Sequence, residues 1–158
     1  MKWTIVTFGR HQGKSLPQIL VCDPDWFFWM LPKFYGTLAD EAQDLARKAT
    51  AIKIPGPNGK KQVVEYRREE GRPPGSGGFM FVDAGSPRID RWGMRSPHLD
   101  LSYVCRESSY DKKGCRRLIQ DFRRKYFGEN VYLTKERIEE FFSNEDNFVR
   151  GRSQRKAG

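Results

Sequence analysis

The sequence predicts an α+β fold: a small N-terminal strand–turn–helix unit followed by a mixed β/α segment that carries a basic amphipathic helix. Three observations lead there. Residues 3–8, Trp-Thr-Ile-Val-Thr-Phe, are β-branched and aromatic, and they run through a glycine-bracketed turn into an apolar aromatic stretch. The middle of the chain holds short β-prone runs separated by Gly and Pro. The last third holds two segments whose apolar residues recur at helical spacing.

Taken in order, residues 3–8 predict a strand, and Gly9 and Gly13 bracket a reversal in which the backbone enters positive φ. Asp23 suits a helix N-cap, Pro24 suits the first helical position, and Pro32 opposes continuation past Leu31. Thr37 predicts the cap of a second helix, with Leu38, Ala42, Leu45 and Ala49 facing inward. Arg47 and Lys48 fall in its last turn, where cations suit the helix dipole. Asn58-Gly59, between residues 52–54 and 62–66, predicts a hairpin with Lys60 and Lys61 near its tip. Residues 67–78, rich in Gly and Pro, predict a flexible loop or linker.

Residues 79–82 predict a short strand, residues 85–97 a loop, and the alternating residues 99–104 a half-buried strand. Residues 115–127 predict a helix that stops at Gly128, and residues 131–133 a short strand. Thr134 then caps a last helix through Phe142, with Ile138, Phe141 and Phe142 facing in. The expected division is 1–52 as an N-terminal module, 53–78 as hairpin and linker, 79–148 as a basic mixed domain and 149–158 as a disordered basic tail.

The 158 residues suffice for one sizeable core or two small ones. A net charge of +9 and a pI near 9.6 point to a polyanionic partner, with DNA ahead of RNA. Residues 1–50 carry 6 Lys/Arg against 5 Asp/Glu, residues 51–110 carry 10 against 7, and residues 111–158 carry 13 against 8. Basicity therefore concentrates toward the C-terminal end. Three cysteines, Cys22, Cys105 and Cys115, form no close pair, which favours a reduced compartment. With no bilayer-length apolar run and no cleavable signal pattern, a cytoplasmic location and no membrane partner are expected.

The opening motif, Phe8-Gly9-Arg10-His11-Gln12-Gly13-Lys14-Ser15-Leu16 followed by Asp23-Pro24-Asp25-Trp26-Phe27-Phe28-Trp29-Met30-Leu31, resembles the small C-terminal domain of exonuclease X-type proteins. The resemblance covers about the first third of the chain. It departs from the family pattern at Arg10, where Lys is usual, and at Trp26, where Tyr is common. It implies an accessory nucleic-acid module without the exonuclease domain, and it brings no catalytic residues. A detached module in a short basic chain also suggests a mobile-element origin.

Several groups are candidates for chemistry. On the helix at residues 115–127, Cys115, Leu118, Phe122 and Tyr126 share one side, while Arg116, Arg117, Arg123 and Arg124 share the other around Gln120. Four guanidinium groups on a solvent face suit phosphate contacts. The turn offers Arg10, Lys14 and exposed backbone amides to a phosphate. Trp26 and Trp29 are the aromatics expected to be exposed and able to stack on unpaired bases.

Carboxylates at Asp83, Asp90 and Asp100, with Glu65 and Glu107, supply the residue types of a Mg²⁺-dependent nuclease but match no motif. His11 and His98 lack zinc-ligand spacing with the cysteines, and nothing in the sequence sets a histidine beside a thiol. No catalytic residue, metal or cofactor is assigned. The leading expectation is a non-enzymatic, phosphate-directed nucleic-acid-binding accessory protein with little sequence discrimination. The alternatives are an inhibitor or adaptor that docks on a nucleic-acid enzyme, and the nuclease.

Overall fold

The computed structural model describes residues 2–56, 59–68, 70–71, 74–88, 94–103 and 112–150. Among these residues, helices α1 (Leu16–Cys22), α2 (Pro24–Met30) and α3 (Gly36–Ala49) come first, with a 3₁₀ turn at Leu31–Lys33. Strands β1 (Gln62–Arg68), β2 (Pro74–Asp83) and β3 (Met94–Ser96) follow, then α4 (Lys112–Phe127), α5 (Lys135–Ser143) and a 3₁₀ turn at Glu145–Asn147. The three strands form an antiparallel sheet in the order β2-β1-β3, so the fold is α+β.

Local chemistry explains most boundaries. Ser15 and Gln18 form a capping box at the start of α1, with Pro17 in its first turn. The Asp23 carboxylate accepts the Trp26 amide at the start of α2, and Pro24 takes the first helical position. Thr134 Oγ1 accepts the Arg137 amide at the start of α5. Beyond α4, Gly128 takes φ +103°.

Several elements differ from the sequence expectation. Strand β3 forms at Met94–Ser96 inside the expected loop because it pairs with β1, and α3 starts at Gly36 after Tyr35 rather than at a Thr37 cap. Residues 3–8 form no strand; Ile5 makes a single bridge to Ser15 because the partner chain is only the short return of the turn. Sequence reasoning missed α1, whose seven residues are too few to display a helical period. The expected pairing of residues 52–54 with 62–66 is not formed, and Asn58 at its expected turn lies outside the described residues. Instead β1 pairs with β2, from Gln62 opposite Asp83 to Tyr66 opposite Phe79, and Pro74–Gly78 belong to β2. Residues 99–103 make only a bridge and a turn, since Leu99 pairs with Ile52 rather than with a strand. Residues 131–133 are irregular, with Tyr132 standing in solvent.

Glycine lets β2 approach α4. Gly78 has φ +83°, and a Cβ there would overlap the Asp121 carboxylate, which accepts the Phe79 amide at 3.2 Å. The sheet therefore lies directly on α4, with Phe81 edge-on to Tyr126. Phe122 is fully buried among Tyr126, Phe127, Phe141 and Phe142.

The core continues into the N-terminal helices as one cluster that runs from Trp3 to Phe148. Ile52 sits at its centre and bridges both Leu99 and Phe148. Two polar contacts tie distant parts of the chain together. Trp3 Nε1 donates to Ser143 Oγ at 3.0 Å, and the buried Lys48 Nζ donates to the Phe142 carbonyl at 3.0 Å. No helix of the described residues is long and apolar enough to cross a membrane.

Candidate functional site

The turn before α1 is a tight backbone structure. Gly9 and Gly13 have φ +71° and +91°. The Gly13 amide donates to the Val6 carbonyl, and the Val6 amide donates back to the Lys14 carbonyl. The Gln12 and Lys14 amides are also satisfied within the turn, by the Gly9 and His11 carbonyls. These three amides are thus already spent within the turn, and the anion contacts argued below are those of its side chains.

Those side chains converge on Asp23. The buried His11 bonds through Nε2 to Asp23 Oδ2 at 2.9 Å, while Lys14 Nζ lies 3.4 Å from its Nδ1. An ammonium can only donate, so Nδ1 accepts and Nε2 carries the proton toward Asp23. Arg10 approaches the same carboxylate at 3.7 Å. Lys14 also donates to Cys22 Sγ at 3.8 Å. Burial pushes the Cys22 thiol above its ordinary value, and the Lys14 charge offsets this only in part. A thiol and an imidazole therefore share Lys14 and border one cavity, which the sequence did not show. Both imidazole nitrogens are engaged, however, and neither is open to take the thiol proton.

The fold sets this turn against α4, about a hundred residues away in sequence. A cavity of about 320 Å³ is lined by Arg10, His11, Lys14, Cys22, Asp23 and Arg116, among others. A second, of about 170 Å³, shares Lys14 and Cys22 with the first and adds Arg123. A third, of about 270 Å³, shares Arg123 with the second and adds Gln120, Arg124 and Asn130. The shared walls make one groove, along which Arg10, Lys14, Arg116, Arg123 and Arg124 follow one another. Arg116 and Arg123 lie seven residues apart on α4, about 10 Å of helix axis at 1.5 Å per residue.

The other candidates are turned away from the groove or partly engaged by neighbours. Arg117 packs toward β2, where its Cγ borders Gly78. Arg124 is partly drawn off by Asp121 at 3.5 Å. Trp26 corrects the sequence expectation: it is 8% exposed, with its ring against His11 at 4.9 Å and Phe34 at 6.2 Å. No ring face is left for a base. It is buried because the turn folds His11 back over α2 and completes an apolar pocket around the indole. Trp29 is 60% exposed, but it lies outside the groove and Lys33 Nζ covers its ring at 3.2 Å.

The middle-segment acids do not assemble among the described residues. Asp83 stands at the Gln62 end of β1, and Asp100 at the Tyr66 end, where the Tyr66 hydroxyl accepts its amide at 2.8 Å. Four residues of strand separate these ends, about 13 Å. Glu65 is buried against Arg95 at 2.9 Å. Asp90 and Glu107 lie outside the described residues. Among the described residues, no group of three or more His, Cys, Asp or Glu is placed to hold a metal ion. No family model, curated protein or solved structure matches the chain.

Proposed function

We propose that this chain is a nucleic-acid-binding accessory protein that grips the phosphate backbone in the groove between the opening turn and α4. One observation carries the proposal: two basic features far apart in sequence, Arg10 and Lys14 on the turn and Arg116 and Arg123 on α4, line adjoining cavities. Scattered surface cations have no reason to converge on a concavity, and a concave basic surface focuses its field on a polyanion. The likeness of the opening motif to the exonuclease X C-terminal module belongs to the same proposal, as does the net charge of +9. Phosphate contacts carry no sequence information, so discrimination between sequences is small.

Direct binding to labelled single- and double-stranded DNA and RNA at several salt concentrations, with Mg²⁺ present, tests this. If five cations each neutralise one phosphate, the log–log salt slope on a single strand is about −3.5, at −0.7 per contact. Replacing Arg116 and Arg123 together by Glu flattens that slope by about 1.4 or more while far-UV circular dichroism stays unchanged. Products remain intact on a gel. An unchanged affinity in the double variant, or no binding at low salt, overturns the proposal.

A further inference from the structure

The middle cavity of the groove differs from its neighbours. Its walls are Val21, Leu133 and Ile138, from α1, the loop before α5 and α5, and the Gln18 amide lies at its edge. Cations stand at its rim, Lys14 from the turn and Arg123 from α4. The Ser15 amide holds Gln18 Oε1 at 3.0 Å, which leaves the Gln18 NH₂ as the donor end of that side chain. A recess with three apolar side chains on one wall, beside Cys22 and a fixed amide and flanked by phosphate-seeking charges, is an odd feature for a surface that only tracks a backbone. A paired base within a duplex cannot enter it, because its faces are stacked and its edge is bonded to its partner.

We infer that this recess takes one unpaired nucleobase, so that the groove's substrate is single-stranded nucleic acid, with the adjoining phosphates on Lys14 and Arg123. The inference rests on the phosphate-binding proposal above. Charge complementarity selects the occupant: an apolar peptide side chain would fill the recess equally well but would leave both rim cations without a partner. The base lies against Val21, Leu133 and Ile138 and is tolerated whatever its identity, since apolar contact alone does not read its edge. The Gln18 NH₂ adds a preference for bases that present a carbonyl oxygen. Leu133 is half-buried and borders the recess from the residue just before the Thr134 cap of α5, so its side chain can be enlarged toward the recess, with far-UV circular dichroism checking that α5 is kept.

The test uses the full chain and four probes: an oligodeoxythymidine of roughly 16 nucleotides, the upper site size for one compact single-strand module, an abasic strand of equal length, the matching duplex, and heparin. The strand with bases is expected to bind several-fold more tightly than the abasic strand, which carries the same phosphates, through the apolar surface the base buries, and more tightly than the duplex. Leu133→Trp fills the recess and removes that advantage while leaving heparin and duplex affinity, and the salt slope, unchanged. Leu133→Phe serves if the Trp variant fails to fold.

Equal binding of all polyanions by the wild type, with no effect of either substitution, overturns the base recess but leaves the phosphate groove standing. Failure of every polyanion to bind at low salt overturns both.

Discussion

Lys14 is engaged on two sides within the groove. It faces His11 on one side and Cys22 on the other, while its charge stays available to the cavity mouth. One consequence can be read at Cys22. Cys22 is exposed as a residue, but partial burial around its sulfur raises the thiol above its ordinary value of 9.0, so little thiolate exists at neutral pH, and Lys14 is the main group that offsets this rise. Alkylation of Cys22 by iodoacetamide, followed on its own peptide by mass spectrometry, is therefore expected to be slower at pH 7.5 than that of an unstructured cysteine peptide. Lys14→Ala is expected to slow it further, since it removes the charge that favours thiolate. A faster rate in Lys14→Ala shows instead that Lys14 acts by covering the thiol. At the same scale, Trp26 shows where single-residue reasoning ends. Its composition suits a stacking platform, and only the return of His11 over α2 turns it into core.

Among elements, α2 was legible in the sequence from its start and stop signals alone, and α4 and α5 because each carries both a period and a stop or start signal. Asp23 and Pro24 open α2, Gly128 follows α4, and Thr134 opens α5. What stayed hidden depends on partners remote in sequence. The stretch at residues 67–78 looks like a linker by composition, yet β2 begins at Pro74, because its glycines allow the backbone to lie on α4. The groove was legible in halves: Arg10 and Lys14 on the turn, and the arginines of α4, were both visible, but their meeting was not. Gly78→Ala tests the close approach. The substitution forces an L-residue into the left-handed region and displaces Asp121 from the Phe79 amide, and it is expected to cost about 2 kcal/mol or more. Urea denaturation measures this, and a change below about 0.5 kcal/mol would show that β2 can lift from α4 freely.

Across the molecule, the buried Lys48 holds α3 to the chain's last described turn. Its ammonium lies 3.2 Å from Asp44 and 2.9 Å from Glu145, in addition to the Phe142 carbonyl. Partial burial pushes the Asp44 carboxyl up, but hydrogen bonds and charge from Arg47 and Lys48 outweigh it and hold the group below its ordinary 3.8. A depressed folded value means that Asp44 contributes stability above its unfolded value and loses that contribution as pH falls through the folded one. Asp44→Asn is therefore expected to lower Tm at pH 7 and to match the wild type near pH 2. An equal Tm at pH 7 would show that the pair adds nothing.

The same long-range closure has a consequence in time. The turn bearing Lys14 leaves the ribosome 109 residues before Arg123, an interval of roughly 5–20 s at about 5–20 residues per second. Until α4 follows and docks, the nascent chain shows only one bank of the groove. On the proposed function, the capacity to hold a strand would arrive late and all at once, and a half-synthesised chain would be spared capture by the nucleic acid that surrounds its own translation.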